Sequence, residues 1–349
     1  MNMFVGRRLR HLLGPLDPAA HGPLVPGADR RADLQRILDT PTPAVTGRPG
    51  VGGRSGGTAR RRRGLIAAAA AAAVLVVAAV VAYQVVPVPQ PAYAATPPPL
   101  RYARVDGGSA ATALTTIAAK ASAAPAVPGP GNHEHLVTLS WDLWTEIDGE
   151  RVRNAVVVTR TESWRGADNS GRVVVSYQEP QFPAGSDRWS RLRGVPDGGT
   201  HRTDYAPGRF PAMWPAPPPA SRLDAWLAIG HRPANGPAET LVAVTDLARE
   251  RVLTPDTRAA VLRVVAGLPG LTYEGRVTDR VGRQGEGFSL VSDHSGLPTR
   301  YTLIVDPETG ALLGYESMLT TTAGKLDVRV PAVVGYETYA TAEFSAAPA

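Results

Sequence analysis

Cysteine is absent from the 349-residue chain, in which 43% of the residues are hydrophobic. No disulfide can therefore cross-link a domain, and no thiolate can ligate a metal ion. A folded part of this protein must be held together by its hydrophobic core. The roughly 260 residues of its carboxy-terminal part are enough for one large or two small cores.

Short catalytic and nucleotide-binding motifs are also missing: there is no Walker loop, H-E-x-x-H, S-x-x-K or dinucleotide fingerprint. The segment GRSGG, from Gly53 to Gly57, matches the G-x-S-x-G pattern by letter. Its glycine-rich surroundings cannot form the strained strand-to-helix turn that exposes such a serine. We therefore expect a non-enzymatic protein with no catalytic residues, no metal site and no cofactor.

A third absence is that of charge, since no charged side chain occurs from Leu65 to Val86. At about 1.5 Å per residue, a helix of this length spans the roughly 30 Å hydrocarbon core of a bilayer. Pro87 and Pro89 would end the helix because proline lacks an amide hydrogen. We predict a single transmembrane helix over residues 64–86.

Two other interpretations of this apolar tract stay open. Ala92-Tyr93-Ala94 has the form of a signal-peptide cleavage site, and cleavage near Ala94 would release the outer domain. The long leader and long apolar tract are atypical of such a signal, however. A buried helix of a soluble fold is the second alternative, but it would not require four arginines directly before it.

Basic residues are concentrated before the tract. Residues 1–63 contain 12 of the 37 Lys and Arg residues but 4 of the 31 Asp and Glu residues. The sequence places Arg60, Arg61, Arg62 and Arg63 directly before the span, and basic residues in that position stay in the cytoplasm. We therefore predict a cell-membrane protein with a cytoplasmic amino terminus and its carboxy-terminal domain outside. Because the remaining chain has no basic excess, we expect no nucleic acid partner.

The amino-terminal residues 1–63 are predicted to form a basic, largely disordered tail, since their later part is rich in glycine and proline. Only residues 29–39 have helical spacing, with Leu34, Ile37 and Leu38 on one face. These three side chains are candidates for contact with a cytoplasmic partner protein. The alternative is a basic helix that lies on the membrane surface or frays.

Beyond the membrane, a proline-rich spacer at residues 87–99 is predicted to precede an outer domain at residues 100–345. Asp148-Gly149 lies between two segments rich in β-branched and aromatic residues, a pattern that predicts a β-hairpin. The predicted strands are His135–Ile147, Val152–Trp164, Arg172–Gln178, Leu271–Thr278, Gly287–Val291, Arg300–Val305, Leu312–Thr320 and Val333–Thr341. The predicted helices are Ser109–Ala123, Arg222–Ile229, Ala238–Arg251 and Pro255–Ala266.

This pattern predicts an α+β fold, in which helices cover one face of a curved, half-barrel-like antiparallel sheet. A cleft between the helices and the sheet could hold an apolar ligand. Residues 180–219 are irregular and rich in proline, and we expect their large apolar side chains to cover the sheet. These side chains are Trp189, Phe210, Met213 and Trp214.

Five histidines invite a metal-binding or catalytic interpretation. His133 and His135 would share one face of a strand, but the sequence shows no third ligand nearby. Exposed polar residues at the end of a strand are the simpler interpretation. His201, His231 and His294 are isolated in loops, where nothing in the sequence pairs them with a nucleophile.

Three acidic residues, Asp142, Glu146 and Asp148, would also share one strand face, with Trp144 between the first two. Two carboxylates that flank one bond are the signature of a glycosidase. An exposed acidic surface is the simpler interpretation, because strands with one solvated face alternate in this way.

Six short stretches carry a resemblance: AYAATPP from Ala92, GPAE from Gly236, LPG from Leu268, GRVTDR from Gly275, YTLIVDPETG from Tyr301 and LGYE from Leu313. Together they resemble an uncharacterised actinobacterial family of single-pass membrane proteins, often encoded beside an extracytoplasmic-function sigma factor. The resemblance implies a membrane-tethered outer domain with a part in envelope signalling, and it supplies no catalytic residues. The inner tail differs from zinc-containing anti-sigma domains, whose cysteine ligands this chain lacks.

The leading hypothesis is a non-enzymatic, membrane-anchored sensor or binding module whose outer domain engages a lipid, an envelope polymer or a partner protein. The alternative is a carrier that holds a lipid or another apolar molecule in the predicted cleft. A hydrolase of envelope glycans that uses Asp142 or Glu146 is the least favoured hypothesis.

Overall fold

The structure, a computed structural model, describes residues 94, 96–103, 108–127, 129, 131–183, 192, 194–214, 216 and 218–348. The predicted membrane span, the predicted cytoplasmic helix and most of the predicted spacer lie outside these residues. Among the residues that are described, no helix is both long enough and apolar enough to cross a bilayer.

One antiparallel sheet contains the ten strands of the described residues. The strands are β1 (Tyr102–Ala103), β2 (His133–Asp148), β3 (Arg151–Arg165), β4 (Gly171–Tyr177), β5 (Gly199–Tyr205), β6 (Thr272–Thr278), β7 (Gln284–Ser292), β8 (Thr299–Val305), β9 (Leu312–Leu319) and β10 (Ala332–Ser345). Their order across the sheet is β1, β6, β7, β8, β9, β10, β2, β3, β4, β5. One meander thus lies on each side of β10, which pairs with both β9 and β2. The carboxy-terminal strand therefore joins the two halves of the sheet.

The hairpin of β2 and β3 is the longest paired unit, and its register runs from Glu134 opposite Arg165 to Asp148 opposite Arg151. Gly149 lies in the connecting turn with a φ of 60°, a conformation that glycine adopts without strain. The predicted hairpin and its turn are confirmed.

Four α-helices are present in this part of the chain: α1 (Ala110–Ala123), α2 (Leu223–Leu227), α3 (Pro237–Glu250) and α4 (Pro255–Ala266). The hydroxyl of Ser109 accepts a hydrogen bond from the amide of Thr112 and caps α1, and Thr254 caps α4 in the same way. α3 and α4 each begin with proline, whose missing amide hydrogen is not needed in the first turn. The four predicted helices are confirmed, although α2 is shorter than predicted.

Helices α1, α3 and α4 form one hydrophobic core with β7, β8 and β9. Tyr301 and Leu303 point into this core, while Ile304 points to the opposite face, as strand alternation requires. Leu241 and Val244 of α3 are fully buried against the sheet. Side chains therefore fill the space between helices and sheet, where the sequence analysis placed a ligand cleft.

The same face of the second meander is covered by irregular chain. Trp144 of β2 packs with Leu192 and with the half-buried Phe182. Trp214 is 1% exposed and belongs to the helical core, together with Met213. The predicted covering role is confirmed for Met213 and Trp214, and Trp189 lies outside the described residues.

The sheet differs from the prediction in two strands that the sequence analysis missed. β5 is exposed along almost its whole length, and its sequence GTHRTDY lacks the apolar alternation that marks a strand. β1 has two residues, too few for any periodicity. Because β1 and β5 lie at opposite edges and do not pair with each other, the sheet does not close into a barrel.

Candidate functional site

The residues that the sequence analysis proposed as sites belong to the amino-terminal part of the chain. The proposed partner contacts Leu34, Ile37 and Leu38 lie outside the described residues. The proposed topology determinants, Arg60 to Arg63, also lie outside them. These predictions therefore stay predictions.

His135 is held between two glutamates on the sheet face away from the helices. Its Nε2 lies 2.9 Å from Oε1 of Glu162, and its Nδ1 lies 3.2 Å from Oε1 of Glu343. The ring also stacks on Trp164, with centroids 4.8 Å apart. The two carboxylates face opposite ring nitrogens. They therefore cannot both reach a metal ion that is bound to one of these nitrogens. No group of three candidate metal ligands occurs among the described residues.

The acidic residues of β2 do not form the fully exposed surface that we expected. Asp142 and Glu146 are half-buried, whereas Asp148 is exposed. Glu146 accepts a hydrogen bond of 2.7 Å from Nη2 of Arg153, its partner across the hairpin. Trp144, between the first two, is buried beneath covering chain.

A segment that we name the strap, residues 96–103, lies on the sheet face opposite the helices. Leu100 and Tyr102 pack against a cluster formed by Val277, Ile304 and Leu313. The strap ends as β1, which pairs with β6 at the edge of the sheet. The first part of the outer domain is therefore fixed across strands that come much later in the chain.

Arg280, in the turn between β6 and β7, holds the strap to the sheet. Its Nη2 donates to the carbonyl oxygen of Pro98 at 2.9 Å, and its Nε donates to Oε2 of Glu316 at 3.0 Å. The guanidinium also lies over the ring of Tyr336, 5.2 Å from the centroid. Glu316 in turn accepts a hydrogen bond from the backbone of Leu100.

Glu316 is 3% exposed, and this burial raises the pKa of its carboxyl group. The positive charge of Arg280 and the hydrogen bond from Leu100 act in the opposite direction without overcoming burial. Only a shallow depression, without room for a water molecule, lies beside this pair, and it is lined in part by Leu100, Gly314 and Tyr336. The strap is therefore held here by a buried ion pair.

On the helix side, His231 occupies a second polar cluster and is 3% exposed. Its Nδ1 lies 2.8 Å from Oε1 of Glu239, and its Nε2 lies 3.0 Å from Oδ2 of Asp246. The second contact has an ion-pair distance without the alignment of a hydrogen bond. His294 approaches the other oxygen of Glu239 at 3.3 Å. The expectation that His231 and His294 are isolated is therefore wrong, because folding brings both to one carboxylate.

The pKa of Glu239 reflects this environment. Burial by itself raises it, but the hydrogen bonds from His231 and Asn235 and the charge of His294 outweigh burial and lower the pKa to about 2. The carboxylate is therefore the form that this cluster stabilises.

The cluster continues from α3 to the centre of the sheet. Arg249 pairs with Asp246 one turn earlier on the same helix. The Nη1 of Arg249 lies 2.7 Å and 2.6 Å from the two oxygens of Glu337, which is buried on β10. Successive ion-pair contacts, through Asp246 and Arg249, thus connect His231 to Glu337 on β10.

A third cluster holds the segment around Trp214. Glu250, the last residue of α3, accepts hydrogen bonds from the amides of Met213 and Trp214. The carbonyl oxygen of Trp214 accepts from Nη2 of Arg165 at 3.1 Å and from Nη1 of Arg251 at 3.4 Å. Backbone groups that face the interior are therefore satisfied by side chains.

Two buried arginines and one glutamate form the centre of this third cluster. Arg251 pairs with Glu134 on β2 at 2.9 Å. Burial, together with the nearby charge of Arg251, lowers the pKa of Arg165 to about 10. Burial also raises the pKa of Glu134, against the charge of Arg251. The cluster connects β2, the end of α3 and the covering chain.

Sequence reasoning did not identify these clusters, although some of their residues lie in conspicuous stretches. Arg280 ends the stretch GRVTDR, Glu316 ends LGYE, and Glu239 ends GPAE. Each stretch is one of those that carry the family resemblance. The resemblance drew attention to these stretches but did not indicate which residues form ion pairs. Arg280 and Glu316 lie 36 residues apart, and His294 lies far from Glu239 in the chain, so only the fold brings these groups together.

Comparisons with models of known protein families and with curated proteins give no match to this chain. Its function must therefore be argued from the geometry of the strap and of the buried clusters.

Proposed function

We propose that this protein is a non-enzymatic, membrane-anchored binding module whose outer domain communicates with its tether through the strap. The observation that supports this proposal is the attachment of the strap to the sheet by Arg280 and Glu316. Because the strap includes residues 96–99 of the predicted spacer, a change in the sheet would reach the predicted membrane anchor directly through the spacer.

The strap contact combines groups from several parts of the domain. Arg280 comes from the turn after β6, Glu316 from β9 and Tyr336 from β10. A ligand or partner that shifts these strands would alter the contacts that hold Pro98 and Leu100. An isolated domain on a passive linker would not require such a buried contact at its first residues.

The buried ionisable side chains support a structural interpretation of their roles. His231, Arg249 and Arg251 each face carboxylates at ion-pair distance and connect separate elements of the fold. Removal of one partner from a buried pair of this kind is strongly destabilising, which is consistent with a structural role. Their placement favours a binding module over an enzyme.

A carrier of a lipid or another apolar molecule is the alternative function. It requires space between the helices and the sheet, which the side chains of Leu241, Phe288 and Leu303 fill in this conformation. A carrier would have to move α3 away from the sheet to load its cargo. Under this alternative, the predicted cleft would exist only in an open state, after α3 has moved.

The proposal is tested by mass spectrometry of molecules that copurify with the full chain from its native membranes. The same chain without residues 1–58 serves as the comparison. A protein that copurifies with the full chain, and whose recovery changes when Arg280→Ala releases the strap, supports the binding module. A lipid bound stoichiometrically to both forms, without any protein, would replace the proposal with the carrier.

The membrane anchor is tested separately. Protease added to intact cells is expected to degrade the carboxy-terminal domain, because that domain is predicted to lie outside. Protection in intact cells with degradation after lysis would contradict the predicted location.

A further inference from the structure

We propose that β5 is the surface through which two copies of this chain pair, edge to edge and antiparallel, with Thr203 of each copy on the two-fold axis. The pairing would join the sheets of the two copies into one continuous sheet. The strap and its contacts take no part in it, so the pairing is independent of the function proposed above. It rests on the exposed edge of β5 and on the charges of Arg202 and Asp204.

The first step concerns the edge itself. β5 is the last strand in the order of the sheet and pairs with β4, from Gly199 opposite Tyr177 to Tyr205 opposite Gly171. Its residues are exposed except for the half-buried Tyr205, so burial contributes little to holding this strand. An exposed strand edge presents a row of backbone donors and acceptors to which a further strand can bind.

The hydrogen bonds between β3 and β4 show which backbone groups of β5 point outwards. At one end of that strand pair Gln178 donates its amide hydrogen to Val158, and at the other Gly166 donates to the carbonyl oxygen of Ser170. The even-numbered residues of β4 therefore face β3. Because the two kinds of pair alternate in an antiparallel ladder, the odd-numbered residues of β4 and their β5 partners face each other. The β5 residues whose backbone groups point outwards are thus Thr200, Arg202 and Asp204.

The charges of β5 select one register for pairing with a copy. Residues that lie opposite each other share a sheet face, so a two-fold axis passes between a residue and its own copy. With Arg202 on the axis, two like charges would face each other, which is unfavourable. With Thr203 on the axis, Arg202 of each copy lies opposite Asp204 of the other. The outward backbone groups of these two residues then bind each other, and no other register of two β5 strands opposes unlike charges.

The side chains at this edge have room for a second partner. Within one copy, Asp204 lies 2.6 Å from Nε of Arg172 and 2.9 Å from Nε of Arg202. The side chains of Arg202 and Asp204 are nevertheless 53% and 56% exposed. Charged residues on an edge strand ordinarily discourage pairing with other strands. Here the alternation of sign discourages strands of other sequence and favours a second copy of β5.

The interface is small. Residues 201–205 of each copy oppose one another, whereas a standard interface involves roughly 20–30 residues of each partner. Pairing between freely diffusing copies is therefore weak and reversible. The predicted anchors would hold two copies in one membrane and raise their effective concentration.

A disulfide can trap such a pair, because the chain has no cysteine of its own. Thr203→Cys in the full chain places two thiols at a non-hydrogen-bonded pair, whose Cα atoms lie about 4.5 Å apart and within disulfide range. The cell fraction that contains the chain is oxidised mildly, so the test does not depend on the anchor.

Two single-cysteine controls accompany this variant. Covalent dimers of Thr203→Cys are expected to form about tenfold faster than those of Thr115→Cys, which replaces an exposed threonine on α1. Arg202→Cys should react at the slow rate of this control, because the two copies of residue 202 lie diagonally across the pair. Non-reducing electrophoresis measures all three rates.

Charge variants assign the crosslink to the pairing of Arg202 with Asp204. With Thr203→Cys in place, Arg202→Glu gives a chain with two acidic residues on this face, and Asp204→Arg gives a chain with two basic ones. Each variant alone should dimerise at the control rate, because like charges oppose each other across the axis. The two variants coexpressed with different tags should form the mixed disulfide as fast as Thr203→Cys alone. Urea unfolding of each variant shows whether its fold is kept.

Three results would overturn the proposal. The first is that Thr203→Cys reacts no faster than Thr115→Cys, which is also the result if a strand of another protein covers β5. The second is that Arg202→Cys reacts faster than Thr203→Cys, and the third is that the folded charge variants dimerise as fast alone as together. If a charge variant does not fold, the three single-cysteine variants still decide. None of these results bears on the strap or on a copurified partner, which are measured separately.

Discussion

The indole ring of Trp214 lies nearly parallel to the imidazole of His231, with centroids 6.1 Å apart and planes inclined by 15°. Trp214 belongs to the hydrophobic core, whereas His231 belongs to the charged cluster of α3. Their contact therefore joins the two kinds of interaction that fix α3 on the sheet. A disturbance of the charges should be measurable as a change in the surroundings of this tryptophan.

Arg280→Ala should destabilise the domain and release the strap. The substitution leaves Glu316 buried without its cation, and breaking a buried ion pair in this way costs about 3–5 kcal/mol. Urea unfolding measures the loss, and limited proteolysis near residue 100 measures strap release. Arg276→Ala removes an exposed arginine from the neighbouring strand and should have little effect. Equal behaviour of the two variants would show that the strap contact does not stabilise the domain.

Glu239→Gln should change how stability depends on acid pH. Because the pKa of Glu239 is lowered to about 2, its carboxylate contributes stability above the pKa of an unfolded glutamate, about 4.3. That contribution is lost as the pH falls from about 4.3 towards 2. The wild type should therefore lose stability over this range, while the variant starts less stable and changes less. Urea unfolding at several pH values measures both curves.

The matched control for this pH experiment is Glu308→Gln, since the side chain of Glu308 is 74% exposed and pairs with Lys120 at the surface. An exposed pair of this kind contributes little. A pH profile of Glu239→Gln that matches both the control and the wild type would contradict the assignment.

Gly310→Ala should destabilise the contact of α1 and α4 with the turn before β9. A Cβ at this position would lie 2.6 Å from the Cβ of Ala121 and 3.0 Å from Cδ1 of Leu262, and φ is 66°. Gly282→Ala separates the two causes, because its φ is 90° but no atom lies within 4 Å of the added Cβ. The Gly310 variant should lose about 1–3 kcal/mol more than the Gly282 variant in thermal or urea unfolding. Equal losses would indicate backbone strain alone.

The predicted orientation can be tested by single-cysteine labelling, because the chain has no cysteine of its own. Arg202→Cys on the exposed β5 strand should react with a membrane-impermeant maleimide in intact cells. Ser55→Cys in the predicted cytoplasmic tail should react only after permeabilisation. Replacement of Arg60 to Arg63 by glutamate should reduce labelling of the first site, because these charges are predicted to set the orientation. Labelling of Ser55→Cys alone in intact cells would reverse the predicted topology.

Local sequence signals predicted most of the helices and strands. The hairpin around Gly149 follows from an Asp-Gly turn between segments of strand-forming residues, and α4 follows from Thr254 and Pro255 at its start. β5 was missed because it is polar on both faces and is held by pairing with β4 rather than by burial. Its pattern therefore contains no periodic signal.

The buried charge clusters were beyond reach of the sequence for a different reason. Glu239 looks like an ordinary polar residue in the first turn of a helix, and His231 and His294 lie in separate loops. Their contacts depend on how α3 packs on the sheet, and that packing is set by Leu241, Val244 and the strands beneath them.

By itself the sequence determined the class of this protein: a cysteine-free α+β domain that must be held by its core, preceded by an apolar tract and arginines that predict a membrane anchor. It could do so because helix periodicity, turn residues and uncharged length are properties of neighbouring residues. The tertiary structure alone decided that the first strand pairs with β6, that the last strand joins β9 to β2, that the space under the helices is filled, and that His231 lies beside Glu239 and Asp246. Most of these contacts join residues far apart in the chain, and their energies depend on burial, which arises only when the whole sheet and its helices pack together.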